Sequence, residues 1–340
     1  MIENNRRYDF MIKKMEGFSK EGNWYKGNLH CHTTDSDGSL TPAEVVQYYK
    51  KEGYDFLAIS DHNIFSDYRR DFDCDEFIIL PAVEASAVLY KDDSKNRAER
   101  LSIHHIHGIL GNEEMQRKAA KGLFSHLQDY PEREYCGSWN GAQVAQELQD
   151  DLKAHGCITI YNHPVWSRVR EEDFIYTDGL TALEIYNYGT VNESATGFDS
   201  LRWDVMLRNG KRIFATASDD NHNDGVVRDS FGGYIMVKAE ALNHESVINA
   251  IINGNYYSSA GPSIYNWGIE NDTAFVECSA VSRVNFMAGN YINAGGSVIA
   301  ESGKDDITRA EFPLRGNEQY IRVECIDRYG KTAWSNPIFL

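Results

Sequence analysis

The stretch Gly27–Val46, "GNLHCHTTDSDGSLTPAEVV", places two histidines two positions apart directly before a helix-start signature. Thr41 can cap a helix, a proline follows it, and Glu44 can reach back to the cap amide. The preceding "NWYKGNLHCH" predicts a short strand. His30 and His32 are therefore expected at a strand end and in the loop before a helix, which is where α/β proteins place catalytic groups.

The same order of elements recurs along the chain. Short apolar runs end in acids, histidines or asparagine, and helical stretches such as "NGAQVAQELQDDLKAHG" separate several of them. The runs are "YDFLAISDHN", "EFIILPAVEAS", "LSIHHIHGIL", "GCITIYNHPVW", "TALEIYNYG" and "KRIFATASDDNH". With the first strand they predict about seven βα-type units and an α/β fold with a parallel sheet, closed or open. If the sheet closes into a barrel, the polar strand ends converge on one face.

The pattern changes after Ser258. "TAFVECSA", "SRVNFMAG", "QYIRVECID" and "NPIFL" are short alternating segments separated by turn residues, and no helical pattern follows "NHESVINAIING". We therefore predict an N-terminal extension over residues 1–23, a catalytic barrel over 24–262 and a small β-sandwich over 263–340.

The chain of 340 residues carries a net charge of -17, which argues against a long nucleic acid as partner. No apolar run is long enough to span a membrane, and the first residues lack the apolar core of a signal peptide. We expect a cytoplasmic protein, although a signal removed upstream would leave no trace in this sequence.

Six scattered cysteines without a C-x-x-C pair predict free thiols, with one bridge between Cys278 and Cys325 as the alternative. The oligomeric state is open.

Imidazoles and carboxylates dominate the predicted strand ends. Such ligands, without a cluster of thiolates, suit zinc, manganese, iron or nickel at a catalytic site. A single H-x-H pair would be weak evidence for a metal site, but the same residue types recur on five or six further strands. The candidates are His30, His32, Asp37, His62, Glu84, His105, His107, His163, Asp220 and His222.

The order of these motifs resembles the polymerase and histidinol phosphatase (PHP) family of metal-dependent hydrolases. The resemblance covers residues 24–260 and rests on H-x-H…D-G, "SDH", "VEAS", "NHP" and D-x-H. The C-terminal "YIRVECIDRYGKTAWSNPIFL" is similar, on weaker evidence, to a carbaryl-hydrolase-like branch.

This resemblance implies a distorted (β/α)7 barrel that holds two or three divalent metal ions, with zinc, manganese or iron as candidates. One ion would be held by His30, His32, Glu84 and Asp220. Glu84 would bridge to a second ion held by His105 and His163, and a third would lie between Asp37, His62 and His222. His107 faces the same side as His105 and could replace it. "SDDNH" contains two acids, and the family spacing selects Asp220. Asp219 is then either a catalytic residue that handles a proton, beside Glu84, or a residue that supports the ligands from outside.

The resemblance also implies the reaction. We expect a phosphoesterase that hydrolyses a small phosphate ester through a metal-bridging hydroxide. Arg168 and Asn187 are candidate contacts to the anionic substrate, with a solvated loop arginine and a loop-capping asparagine as the respective alternatives. An alternative is hydrolysis of an amide, carbamate or carboxyl ester by the same metal site. A further alternative is a metal-stabilised binding module without catalysis.

Overall fold

The computed structural model of the protein describes residues 12–289, 291–301 and 303–340. The chain divides into two compact units. The larger is Glu21–Ala260, and the smaller combines Gly261–Leu340 with the described residues up to Lys20. The boundaries expected from sequence (1–23, 24–262 and 263–340) stay predictions, and the first eleven residues of the predicted N-terminal extension lie outside the described residues.

The elements of the described chain are numbered in sequence order. The strands are β1 (Lys14–Glu16), β2 (Asn23–Asn28), β3 (Phe56–Ile59), β4 (Ile64–Phe65), β5 (Ile78–Tyr90), β6 (Arg100–Leu110), β7 (Gln128–Asp129), β8 (Arg133–Cys136), β9 (Cys157–Tyr161), β10 (Ala182–Asn187), β11 (Phe214–Ser218), β12 (Tyr234–Ala239), β13 (Tyr256–Ser259), β14 (Ile264–Glu270), β15 (Thr273–Val281), β16 (Arg283–Ala288), β17 (Gly296–Ile299), β18 (Ile307–Pro313), β19 (Tyr320–Ile326), β20 (Thr332–Ser335) and β21 (Ile338–Phe339). The helices are α1 (Pro42–Lys51), α2 (Arg69–Phe72), α3 (Glu113–Arg117), α4 (Gly141–Ala154), α5 (Tyr188–Ser194), α6 (Ser200–Arg208) and α7 (His244–Ile252).

Helix α1 begins as the sequence predicts. The Thr41 hydroxyl accepts the Glu44 amide at 3.3 Å, and the Glu44 carboxylate accepts the Thr41 amide at 2.9 Å, which completes a capping box. Val45, Val46 and Tyr49 form the buried face. This face joins an apolar cluster with β3 and β5, which fixes the loop between β2 and α1 against the sheet.

The large unit contains a mixed sheet with the strand order β11-β10-β9-β6-β5-β3-β2-β12-β13. The pairs β2/β3, β3/β5, β9/β10 and β10/β11 are parallel, as the alternation of strands and helices predicts. Strand β6 runs antiparallel to both neighbours, so the prediction of a uniformly parallel sheet is wrong there. The short segment between β5 and β6 contains only a single 3-10 turn, Arg97–Glu99, and is too short for a helical crossover. The α/β class is confirmed, with more strand than helix.

Strand β5 is longer than the sequence suggests. Glu84, expected at a strand end, lies in the middle of its thirteen residues because β5 continues beyond it to pair with β6 and β8. The carboxylate therefore projects from the interior of a strand that is paired with its neighbour, and not from a strand end.

The described part of the smaller unit contains strands and no helix. β1, β14, β15 and β18 form one antiparallel sheet, and β17, β16 and β19 form an antiparallel set with β20 and β21 paired to β19. Its arrangement as a sandwich stays a prediction. All six cysteines of the chain are free thiols, including Cys278 and Cys325. Among the described residues, no helix has the length and apolar character needed to cross a membrane.

Candidate metal centre

The H-x-H motif lies in a loop held by buried side chains. The Asn28 amide donates to the His30 carbonyl at 2.8 Å and its oxygen accepts the His30 N–H at 3.3 Å. Further along, the Asp61 carboxylate accepts both the amide and the hydroxyl of Thr33 at 2.8 Å each. These contacts show that Asp61 shapes the loop. His30 and His32 are consequently buried and fixed in orientation.

Glu84 is the centre of the histidine cluster. Its carboxylate oxygens face ring nitrogens of five histidines: His62 Nδ1 at 2.9 Å, His30 Nε2 at 3.2 Å, His105 Nδ1 at 3.2 Å, His163 Nε2 at 3.3 Å and His32 Nε2 at 3.4 Å. Asn162 Nδ2 also donates to Oε1 at 2.6 Å. Burial opposes ionisation, but the facing histidines hold the pKa of Glu84 well below its usual range. Glu84 is therefore a buried carboxylate surrounded by potential metal ligands.

Asp220 lies opposite Glu84 across the same histidines. Its Oδ1 is 3.1 Å from both His30 Nε2 and His32 Nε2, and its Oδ2 is 3.7 Å from His163 Nε2. Asp220 and His163 both have a positive φ, at 54° and 24°, a region that L residues seldom occupy. Two candidate ligands thus depend on unusual backbone conformations.

A third group lies nearer to the solvent. Asp37 Oδ2 is 3.7 Å from His62 Nε2, and Asp37 Oδ1 is 3.4 Å from His222 Nε2. Burial acts against the charge of His222, yet Asp37 and Asp220 raise its pKa to about 9. By contrast, burial and the neighbouring His62 and His222 lower the pKa of His32 to about 3.

All nine residues expected to bind metal converge in this region. They form four overlapping groups in which the ligand atoms lie within 4.8 Å of one another: His32, Asp37, His62 and His222; His30, Glu84 and His163; His30, His32 and Asp220; and His62, Glu84 and His105. This grouping differs in detail from the one implied by the family resemblance, because His32 joins the Asp37 group and His62 is shared with Glu84 and His105.

The donor set fits divalent cations. His32 Nδ1, His105 Nδ1 and Glu84 Oε2 are buried and have no hydrogen-bond partner. In addition, the Nε2 atoms of His30 and His32 face each other at 3.1 Å. Buried acceptors that face one another are costly unless a proton or a cation lies between them. Imidazole and carboxylate together are the ligand types of catalytic zinc, manganese and iron sites.

The choice between His105 and His107 has a geometric answer in the structure. His105 Nδ1 faces Glu84 and its side chain lines the cavity described below. The His107 ring instead packs edge-on against the His30 ring, with centroids 4.2 Å apart, and belongs to none of the four ligand groups. We keep His105 as the candidate ligand, with His107 packing against His30.

Asp219 does not join the cluster. Its carboxylate accepts the Tyr49 hydroxyl at 2.7 Å and the backbone amides of Phe231, Gly232 and Gly233 at 2.8–2.9 Å. These contacts anchor the loop between β11 and β12. They give no support to the catalytic role expected for Asp219.

The two expected substrate contacts also lie elsewhere. Arg168 is exposed and is absent from the residues that line the cavity. Asn187 is buried, and its amide donates to Asp220 Oδ2 and Glu184 Oε2 at 3.0 Å each. Asn187 therefore orients a candidate ligand, while Arg168 faces solvent.

A cavity of ≈ 290 Å³ opens on the cluster and is lined by His62, His105, His163, Asp220 and His222 on its inner side. Among the described residues that line it, Arg100 is the one arginine or lysine. Its Nε donates to the Arg97 carbonyl at 3.1 Å, and no acid in the described part of the chain forms an ion pair with its other nitrogens. Trp166 forms part of the wall, and its Nε1 donates to Glu193 Oε2 at 2.7 Å.

Sequence reasoning missed three residues around the ligands. Arg100 follows a charged loop, and nothing in "KNRAERLS" indicates that it borders the site. Glu184, in "LEIYN", lies inside an apolar strand and accepts His30 Nδ1 at 2.9 Å. Asn162 directly precedes His163 and donates to Glu84.

Comparisons with solved structures match several chains, including the two that follow. A two-domain protein from Bacteroides vulgatus, containing a predicted PHP-like metal-dependent phosphoesterase, is 10% identical over 97% of this chain and 99% of its own, with a TM-score of 0.45. A candidate metal-dependent phosphoesterase from Bifidobacterium adolescentis is 15% identical over 61% of this chain and 90% of its own, with a TM-score of 0.38. No family model and no curated protein matches the chain.

Proposed function

We propose that this chain is a metal-dependent phosphoesterase of the PHP type that hydrolyses a small phosphate ester. One observation carries the proposal. Eight histidines and acids, spread from His30 to His222, gather around Glu84 beside a cavity that is also lined by an arginine. Such a combination of cation ligands and an anion-binding side chain suits a phosphate group.

The four ligand groups offer positions for two or three divalent ions. His30, His32, His163, Glu84 and Asp220 would hold the inner positions, and Asp37, His62, His105 and His222 the outer ones. Divalent cations in such sites lower the pKa of water and neutralise charge on a phosphate. Asn162 and Asn187 keep the carboxylates of Glu84 and Asp220 in place by donating to them.

The residues of the cavity wall would bind and orient the substrate. Arg100 would bind an anionic group through its terminal guanidinium nitrogens, which no described side chain engages in an ion pair. Trp166, whose Nε1 donates to Glu193, would provide an apolar surface that limits the access of water on that side. Val226 and Val227 line the same cavity and extend the apolar wall. This division of polar inner wall and partly apolar outer wall fits a small ester with an organic leaving group.

The test compares substrate classes on protein stripped of metal and reloaded separately with Mn²⁺, Zn²⁺ or Fe²⁺. We expect turnover of phosphate esters with at least one ion, and its loss in the presence of excess chelator. Glu84→Gln, which removes the central charge, should reduce turnover by about 10³-fold or more. Turnover that survives exhaustive chelation would contradict the proposal.

The same panel addresses the two other functions. Aryl carbamates and aryl acetates report on a carbonyl hydrolase, and activity confined to them would assign the site to that class. Fewer than two ions per chain by elemental analysis, with no activity on either panel, would indicate a metal-stabilised binding module.

The proposal also includes the closure of the large sheet into a barrel. We infer that the sheet of the large unit closes into the distorted (β/α)7 barrel of this family, because the Ser258 hydroxyl of β13 donates to the Ala215 carbonyl of β11 at 2.8 Å. That hydrogen bond brings together the two ends of the strand order. The β-sandwich of the smaller unit, the carbaryl-hydrolase-like branch and a cytoplasmic location are likewise proposed from sequence.

A further inference from the structure

Glu184 lies in β10, almost fully buried, and its carboxylate accepts four hydrogen bonds. Oε1 accepts His30 Nδ1 at 2.9 Å and the Ser218 hydroxyl. Oε2 accepts the His163 backbone amide at 3.1 Å and Asn187 Nδ2 at 3.0 Å. Four donors around two oxygens match an ionised carboxylate, which accepts and does not donate. They also leave no lone pair for a cation, and Glu184 is in none of the ligand groups.

The contact with His30 determines which ring nitrogen carries the proton. When Nδ1 donates to a carboxylate, the neutral ring presents its lone pair at Nε2. His30 Nε2 is the atom that faces the cluster, at 3.1 Å from Asp220 Oδ1 and 3.2 Å from Glu84 Oε1. Glu184 therefore selects the form of His30 that can bind a cation.

Two further ligands depend on the same carboxylate. The His163 amide that donates to Glu184 belongs to a residue with a φ of 24°, so the hydrogen bond helps to hold an uncommon backbone conformation. Asn187 donates to Glu184 and to Asp220 at the same time, and so connects the two acids. One buried side chain thus acts on His30, His163 and Asp220.

We propose that Glu184 is a positioning residue that fixes the cation-binding form of His30 and aligns His163 and Asp220, and thereby sets the affinity of the site for divalent cations. This inference rests on the metal centre of the proposed function, but not on the reaction catalysed there. Outer hydrogen-bond partners of metal-binding histidines commonly change metal affinity by about 10- to 100-fold.

The decisive variant is Glu184→Gln, which keeps the size of the side chain and removes its charge. An amide would present an NH₂ group to at least one of the four donors, so part of the network must break. We expect the affinity of the metal-free protein for Mn²⁺, measured by isothermal calorimetry or chelator competition, to fall about 10- to 100-fold. The ¹⁵N spectrum of His30 should show that Nδ1 has lost its strong hydrogen bond.

Glu318→Gln is the matched control. Glu318 is also a buried glutamate, and it accepts the backbone amides of Arg315, Gly316 and Asn317 at 2.8–3.1 Å within the smaller unit. We expect this variant to lose stability without losing Mn²⁺ affinity. An equal fall in affinity for both variants would show a general loss of structure and overturn the inference.

Glu184→Asp serves if the glutamine variant does not fold. It keeps the charge but withdraws the carboxylate by one methylene, and should also weaken Mn²⁺ binding. A folded Glu184 variant with wild-type affinity overturns the inference, even if the wild-type enzyme is active. If the wild type binds Mn²⁺ but hydrolyses no phosphate ester, the proposed reaction is wrong while the role of Glu184 stands.

Discussion

The Tyr49 hydroxyl donates to Asp219 Oδ2 at 2.7 Å, and this hydrogen bond joins helix α1 to the loop that carries two candidate ligands. Burial raises the pKa of Asp219 to about 6, while Tyr49 and the backbone amides of the loop act in the opposite direction. The acid that follows β11 therefore holds the loop, and its neighbour Asp220 faces the histidines.

We expect Asp219→Ala to lower the free energy of unfolding by about 3 kcal/mol, because three backbone amides of the loop, one buried and two partly buried, lose their acceptor. Tyr49→Phe should cost about 1 kcal/mol, since it removes one donor. Urea unfolding measures both. An Asp219→Ala variant with unchanged stability and abolished turnover would instead restore the catalytic role expected from sequence.

His105 and His107 should respond differently to substitution. His105→Ala removes a ligand that faces Glu84, so we expect the loss of about one ion per chain by elemental analysis and a fall in kcat of about 100-fold or more. His107→Leu keeps the volume beside His30 and should retain the metal content. A loss of metal confined to the His107 variant would exchange the two roles.

Arg100 and Arg168 should respond differently to substitution, because Arg100 lines the cavity and Arg168 does not. If Arg100 binds the anionic group of the substrate, Arg100→Ala should raise KM about 10-fold, the effect of one lost charge-assisted hydrogen bond. Arg168→Ala should leave KM unchanged, because its side chain is exposed and absent from the cavity lining. Steady-state kinetics on one phosphate ester distinguish them, and a larger effect at Arg168 would reinstate the sequence-based assignment.

Asp199 should make stability depend on pH. Burial raises its pKa to about 7, with Arg202 opposing, whereas an unfolded aspartate titrates at about 4. Between these values the folded protein binds more protons than the unfolded chain, so stability falls as the pH rises from about 4 to 7 and stays reduced above.

Asp199→Asn removes this contribution. The wild type should lose stability as the pH rises from 5 to 8, and the variant should not lose this part. The difference in free energy of unfolding, variant minus wild type, should therefore increase by about 2 kcal/mol over this range. Denaturant unfolding at the two pH values measures the difference. The same pH dependence in both proteins would show that Asp199 ionises normally in the fold.

The sequence indicates which residues gather in the candidate site, but not the residues that surround them. His30, His32 and the capping box of α1 depend on local order, and the structure places the capping box as expected. The position of Glu84 within β5 depends on pairing with β6 and β8, which are distant in sequence. The direction of β6 follows from a connection too short for a helix, and its apolar pattern alone does not reveal this.

The sequence does not reveal which residues hold the candidate ligands in place. Asp219 and Asp220 are adjacent acids, and only the positive φ of Asp220 directs one toward the histidines while the other meets loop amides. Glu184 looks like an ordinary polar position in a strand, because its partners His30 and Ser218 come from other parts of the chain. Contacts of this range leave no local signature.

The left-handed backbone at His163 and Asp220 has an evolutionary consequence. Glycine would relieve the steric cost at either position, which is about 1–3 kcal/mol for other residues, but glycine has no side chain to coordinate an ion. If His163 and Asp220 bind cations as proposed, selection for metal binding and selection for stability oppose each other at these two codons. In a lineage that had lost the metal site, glycine or asparagine should then spread there first, so these positions would mark which homologues keep the site.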